Sequence, residues 1–175
     1  MNKRLSARAN RIRLAIFDVD GVLTDGTLYL SERGEVLKAF SILDGVGLKL
    51  LSASGVATAL LSGRKSQTVA VRAKELGIPH VLQGIDDKLE AYHRLLRKLG
   101  FAEEQTSFMG DDLPDLPVLR RCGLAFSVPN APDIVRSHAH FVTNASGGHG
   151  AVREACEFLM LARGTLESQL RTYLA

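Results

Sequence analysis

Residues 16–26 read Ile16-Phe17-Asp18-Val19-Asp20-Gly21-Val22-Leu23-Thr24-Asp25-Gly26, an apolar run that ends in two carboxylates two positions apart. In extended backbone, residues i and i+2 point to the same side, so Asp18 and Asp20 are expected to aim their charges into one small volume. Anions held that close repel, and something of opposite charge has to offset the cost. Outward from this stretch, further short apolar runs read as strands: LAIF from Leu14, ATALL from Ala57, HVL from His80, TSFM from Thr106, LAFSV from Leu124 and HFVT from His140. Helical patterns fill the intervals. LDGVGLKLLSASG has Asp44 as a candidate N-cap and Gly55 as a stop, SQTVAVRAKELG runs from Ser66 to Gly77, and Leu89, Tyr92, Leu95, Leu96 and Leu99 form one buried stripe. LPDLPVLRR and GAVREACEFLMLARG supply two more helices. Strands alternating with helices imply an α/β fold, a Rossmann-like parallel sheet with helices on both faces.

One segment breaks the alternation. TLYLSERGEVLKAF, residues 27–40, holds two alternating runs around Ser31-Glu32-Arg33-Gly34 and reads as a β-hairpin flap beside the paired carboxylates. The chain divides into a basic N-terminal arm over residues 1–12, taken as a solvated tail, one domain over residues 13–164 and a C-terminal tail over residues 165–175. At 175 residues and 46% hydrophobic composition, it has the material for one well-buried core. No run approaches the roughly 20 apolar residues of a membrane span, and MNKRLSARANRIR lacks the apolar stretch of a secretory signal. The net charge of +3, without aromatics interleaved among the basic residues, gives no reason to expect nucleic acid as a partner. Cys122 and Cys156 stand alone, as buried thiols of a reducing compartment, so a cytoplasmic location is expected and zinc is not. His138 and His140 share one side of a strand but lack a third ligand.

In parallel sheets ligands gather beyond the carboxyl ends of the strands, and four such ends carry polar residues. They are Asp18 and Asp20; Ser62-Gly63-Arg64; Lys88, opening a helix; and Gly110-Asp111-Asp112-Leu113-Pro114-Asp115. Asp18, Asp20 and Asp111 form a set of hard oxygen ligands without His or Cys, which suits Mg²⁺. Ser62 and Gly63 offer a hydroxyl and backbone N–H groups at a strand-to-helix turn, a seat for phosphoryl oxygens. Lys88 is a cation in a first helical turn, where it opposes the helix dipole, and an anionic partner would remove that conflict. On this reading, truncating Lys88 is expected to cost little stability.

The order of these motifs, DxDG, SGR, Lys and GDDxxD, resembles the haloacid dehalogenase-like (HAD) phosphatases. KAFSILDGVGLKLL, LLSGRKS, MGDDLPDLPVL and GGHGAVREACEFLMLARG extend the likeness over roughly residues 10–168, toward the bacterial branch acting on phosphorylated keto sugar acids. The resemblance implies a Mg²⁺-dependent phosphatase in which Asp18 is the nucleophile, forming an aspartyl-phosphate, and Asp20 is the general acid and then base. It implies metal held by Asp18, the backbone carbonyl of Asp20, and Asp111, with Asp112 and Asp115 in support. Ser62, Gly63 and Lys88 bind the phosphoryl group in this picture. Ser41, Ile42, Leu43, Asp44 and Gly45, with Lys49, Arg64 and Arg72, contact the rest of the substrate. Basic groups there suit a sugar carrying a carboxylate besides its phosphate. Two positions depart from the commonest pattern of such relatives: Leu43, where arginine is frequent, and His149, where GGRG is usual.

No segment is long enough for the cap domain that many relatives fold over their sites. The resemblance implies instead a homotetramer with hairpins packed centrally, and the tail GTLESQLRTYLA as a segment able to reach an adjacent site. Three other readings compete. A phosphoacceptor signalling domain would carry its receiver Asp after a later strand, and an idle oligomerising relative would not need Asp18, Asp20, Lys88 and Asp111 together. A phosphatase for a related nine-carbon sugar acid remains open.

Overall fold

The computed structural model describes residues 3–32 and 34–174, so Arg33 of the hairpin turn lies outside the described residues. Its frame is a six-stranded parallel sheet in which β1 (Leu14–Phe17) lies between β4 (Ala57–Leu61) and β6 (Thr106–Met109). Outside β4 runs β5 (His80–Leu82), and beyond β6 come β7 (Leu124–Ser127) and β8 (Phe141–Val142). Every residue of β1, β6 and β7 is buried, as expected of strands covered on both faces. Phe17 stands opposite both Leu60 and Met109, so the chain leaves β1, β4 and β6 at one edge. The sheet order reverses between β1 and β6, and that reversal opens the crevice where such folds bind ligands.

With the strand order reversing at β1, the right-handed rule for parallel crossovers puts α2 (Ile42–Ala53) and α3 (Gln67–Leu76), which touch each other, on one face and α4 (Lys88–Leu99) and α5 (Leu116–Leu119), which also touch, on the other. A single turn, α6 (Asp133–Arg136), precedes β8, and the final long helix, α7 (Ala151–Ala162), returns to pack on α2. The hairpin is confirmed: β2 (Tyr29–Ser31) pairs antiparallel with β3 (Gly34–Leu37), forming a separate two-stranded sheet.

Three local expectations need correction. The N-terminal arm is not a solvated tail, because α1 (Lys3–Asn10) packs on α7 and buries Ala9, with Ile12 buried just beyond it. Leu5, Ala9 and Ile12 form an i, i+4, i+7 stripe beneath the arginines, and Arg8 Nη1 donates to the Gly123 carbonyl at 2.6 Å. The C-terminal tail also contains a helix, α8 (Leu166–Arg171), packed on α7. The N-cap of α2 is Ser41, not Asp44: its Oγ accepts from the Asp44 N–H at 3.4 Å. LPDLPVLRR yields only a 3₁₀ turn over Leu113–Asp115 followed by the single-turn α5.

The two histidines and the two cysteines are structural. His140 Nδ1 accepts from the Ala125 N–H at 2.9 Å, which continues the sheet edge, and His138 Nδ1 bonds the Ile134 carbonyl at 2.8 Å. Burial pushes the Cys122 thiol up to about 12 and lifts Cys156 well above its ordinary value, as in buried thiols that serve packing. Among the described residues no helix is long and apolar enough to cross a membrane.

Candidate active site

At the sheet edge the chain turns sharply after Asp20. The Val19 carbonyl accepts from the N–H groups of Val22, Leu23 and Thr24, and Thr24 Oγ1 accepts from those of Gly21 and Gly26 at 3.3 and 3.2 Å. Gly21 has φ +86°, and a Cβ there would lie 1.9 Å from Asp111 Oδ2, so glycine is what lets Asp111 approach this turn. The GGHG loop backs the turn from behind: a Cβ on Gly147 would lie 1.8 Å from the Gly21 carbonyl oxygen.

Around the turn lies a cavity of about 440 Å³ lined by Asp18, Asp20, Ser62, Gly63, Arg64, Lys88, Asp111, Asp112 and Asp115, among others. All four motifs therefore meet at one place. Their side chains form two groups. In the first, Lys88 Nζ bridges Asp115 Oδ1 at 2.6 Å and Asp18 Oδ1 at 3.0 Å. Asp115 is almost wholly buried, and its other oxygen accepts from the N–H groups of Asp111 and Asp112 at 3.0 and 3.2 Å. It fixes the 110–115 loop, which Ser127 braces from β7 by donating to the Gly110 carbonyl at 2.8 Å. In the second group, Asp20 Oδ1 accepts from buried Lys38, and Asp20 Oδ2 lies 3.9 Å from Arg64 Nε.

The two leading carboxylates thus face one cavity but take different partners. β1 ends at Phe17, and the turn that follows is not extended, so the i, i+2 argument for a shared direction lapses at Asp18. Asp18, Asp111 and Asp115 each bring a carboxylate oxygen within 4.8 Å of the others, and Asp20 is not part of that triad. Burial and the Asp115 charge push Asp18 up to about 8, against the pull of Lys88. Burial and the same Asp115 charge push Asp111 up to about 7. Burial works against the Lys88 ammonium, but Asp18 and Asp115 outweigh it and hold its pKa above the ordinary value.

Three convergent carboxylates with one ammonium leave a deficit of positive charge, and every donor is a hard oxygen. That set fits Mg²⁺, which takes few carboxylates and completes its octahedron with water and phosphate oxygens. Ser62 and Gly63 lie across the cavity at the end of β4, where the Ser62 Oγ accepts from the Arg64 N–H at 3.3 Å. Asp87 caps α4 by accepting from the Glu90 N–H at 2.9 Å, which sets Lys88 at the first helical position.

The residues expected to contact the rest of the substrate lie elsewhere. Arg72 Nη2 donates to the Ser41 carbonyl at 3.3 Å and covers Gly45. Ile42 and Leu43 are exposed on the first turn of α2, and Lys49 is exposed further along it. Asp44 is buried, and its carboxylate accepts from the Gly150 and Arg153 N–H groups at 3.3 and 2.8 Å. It therefore caps α7 and ties the GGHG loop to α2, and its oxygens are not turned to the cavity. Of this set only Arg64 lines the cavity with the aspartates.

Two residues at the site carried no signal in the sequence. Glu35 and Lys38 reach under the hairpin to Asp20, Arg64 and Ser66. They are three positions apart, which in a strand means opposite faces. Lys38 joins Glu35 only because β3 ends at Leu37.

A family model described as haloacid dehalogenase-like hydrolase matches residues 60–154. The 3-deoxy-D-manno-octulosonate 8-phosphate phosphatase of Yersinia pestis is 46% identical over 160 residues, 91% of this chain and 86% of that protein. A crystal structure of a probable YrbI family phosphatase from Pseudomonas syringae superposes with a TM-score of 0.97 at 53% identity over 99% of both chains. The 3-deoxy-D-manno-octulosonate 8-phosphate phosphatase of Moraxella catarrhalis, solved with magnesium, phosphate and KDO, does so with 0.96 at 41% identity over 99% of both. With its four motifs gathered at one strand edge and likeness along nearly its whole length, the chain belongs to the haloacid dehalogenase-like hydrolases, alongside the 3-deoxy-D-manno-octulosonate 8-phosphate phosphatases.

Proposed function

We propose that the protein is a Mg²⁺-dependent phosphatase that hydrolyses 3-deoxy-D-manno-octulosonate 8-phosphate to the free sugar acid and phosphate, a step in lipopolysaccharide precursor synthesis. The observation that carries this reading is the likeness over 99% of both chains to a phosphatase holding magnesium, phosphate and KDO, joined to a cavity lined here by carboxylates, the Lys88 ammonium and the Ser62 hydroxyl, groups that suit a divalent cation and a phosphoryl group. Bound Mg²⁺ neutralises charge on the phosphoryl oxygens and on the carboxylates around it. Asp18 and Asp111, with the Asp20 backbone carbonyl, would hold it, and Asp112 and Asp115 brace the loop that presents Asp111.

Asp18 attacks phosphorus through a carboxylate oxygen, so hydrolysis divides into two displacements through an aspartyl-phosphate. Asp20 gives a proton to the departing sugar oxygen and then takes one from the water that attacks the phosphoenzyme. Lys88, buried against Asp18, and the Ser62 hydroxyl with the Gly63 N–H hold the transferring group from the other side. Arg64 lines the cavity with its side chain partly exposed, and in this reading it meets a second anionic group such as the sugar carboxylate. Turnover compared across the 8-phosphate, the nine-carbon KDN 9-phosphate and simple hexose phosphates tests the assignment. The 8-phosphate is expected to lead in kcat/KM, and a preference for either of the others would replace it.

The same reading includes a homotetramer and a cytoplasmic setting. Leu28, Tyr29, Leu30, Val36 and Leu37 on the hairpin, with Ile42 and Leu43 on the first turn of α2, are all exposed and apolar, as residues awaiting a neighbouring subunit would be. Light scattering is expected to give a particle near four times 19.0 kDa. Leu30→Asp, which places a charge on the hairpin, is expected to split it and to lower turnover with Asp18 untouched. A fully active monomer would remove this part of the proposal.

A further inference from the structure

Lys38 stands one residue past the end of β3 with its side chain 2% exposed, under a hairpin that is itself largely exposed. It donates to Asp20 Oδ1 and lies 3.1 Å from Glu35 Oε2. Arg64 lies 3.9 Å from Asp20 and 3.8 Å from Glu35, and Ser66 Oγ donates to Glu35 Oε1 at 2.5 Å. The result is a closed ring, Asp20–Lys38–Glu35–Arg64, that joins the turn after β1, the hairpin and the loop after β4. Taking an ammonium out of water is costly unless its partners are well placed, and this one has two carboxylates.

Resting on the phosphatase reading above, we propose that Lys38 is a positioning residue: it fixes the Asp20 carboxylate so that Oδ2 is the oxygen that exchanges protons with the substrate, and the hairpin reaches the chemistry through it. The two oxygens of Asp20 are not equivalent. Oδ1 is taken by Lys38, whereas the Arg64 nitrogen facing Oδ2 stands at 3.9 Å, beyond hydrogen-bond reach, and Asp20 lines the cavity. In the first step the bond from Asp18 to phosphorus forms as the bond to the sugar oxygen breaks, and the Oδ2 proton passes to that oxygen. In the second, water bonds to phosphorus as the Asp18 bond breaks, and a water proton returns to Oδ2. Freed from Lys38, the carboxylate swings out of line for both transfers.

An anchor that only held the hairpin would act on all substrates alike, whereas a positioning residue acts according to the leaving group. The test uses the full chain with Mg²⁺, with the sugar-acid phosphate, whose alkoxide needs a proton, and with p-nitrophenyl phosphate and acetyl phosphate, whose leaving groups do not. Lys38→Met is expected to lower kcat on the sugar-acid phosphate about 100-fold with little change in KM, and Lys38→Arg to restore part of it. On p-nitrophenyl phosphate the Met variant is expected to give a burst of one nitrophenolate per site and then slow turnover, because only phosphoenzyme hydrolysis still needs Asp20. Glu35→Gln, which loosens the ring without removing the ammonium, is expected to show the same leaving-group pattern at smaller size, and serves if Lys38→Met does not fold. Equal losses on all three substrates without a burst, or a loss confined to KM, would overturn the proposal. A wild-type protein that releases phosphate from none of them would overturn the phosphatase reading instead.

Discussion

Asp18→Asn is expected to release no phosphate from the sugar-acid ester while keeping its fold. An amide of the same shape cannot form the aspartyl-phosphate, and it withdraws one of the charges gathered at Asp18, Asp111 and Asp115. The substitution also reads out the electrostatics of the site. Without metal, Asp18 is pushed up to about 8 and Asp111 to about 7, both far above the 3.8 of an unperturbed aspartate, so folding favours their protonated forms. That contribution to stability is fully present below about pH 4 and is lost as pH rises through 7 and 8. Wild-type protein with the metal chelated is therefore expected to melt lower at pH 9 than at pH 5, and Mg²⁺ to restore the difference by binding the ionised carboxylates. Asp18→Asn should flatten the chelated profile and weaken the Mg²⁺ response. Full turnover by the Asn variant would sink the nucleophile assignment, and a chelated melting temperature that does not fall with pH would sink the charge argument.

What the sequence disclosed follows from how far each signal travels along the chain. LAIF, ATALL and TSFM are mostly apolar and buried because β1, β4 and β6 are covered on both faces, and the polar residues that follow, Asp18, Ser62 and Asp111, mark where each strand leaves the sheet. Sheet edge and cavity were therefore legible together. α1 was not, since its stripe of Leu5, Ala9 and Ile12 is diluted by arginines, of which Arg8 finds its partner only at Gly123, far along the chain. Asp44 misled for a similar reason: its place near a helix start suggested a cap for α2, yet its partners are the N–H groups of Gly150 and Arg153. Lys38 shows the same limit at the site. For Asp115 the GDDxxD likeness implied a supporting role beside the metal, but not that Lys88 and two backbone N–H groups converge on it.

Lys88→Ala is expected to lose two to three orders of magnitude in turnover and, contrary to the sequence-based expectation, to lose stability as well. Relief of the helix dipole alone would favour the variant by about 0.3–1 kcal/mol. The ion pairs of the folded protein act in the opposite direction and are stronger. The Lys88 side chain is 6% exposed and bridges Asp18 at 3.0 Å and Asp115 at 2.6 Å, so its removal leaves two buried carboxylates facing each other. Breaking a buried pair by deleting one partner costs about 3–5 kcal/mol, which outweighs relief of the dipole. Denaturant titration of the chelated protein should show this loss, and Mg²⁺ should recover part of it by supplying positive charge to the same oxygens. The rate should not recover, because an ammonium aimed at the transferring group is worth about 10²–10³ in kcat. Lys88→Ala combined with Asp115→Asn separates the two roles. Withdrawing one orphaned charge is expected to return stability while turnover stays low, since Lys88 is still missing from the nucleophile. A double variant that regains the rate would show that Lys88 serves only to neutralise Asp115, and a single variant as stable as the wild type would show that the helix dipole offsets the loss of both ion pairs.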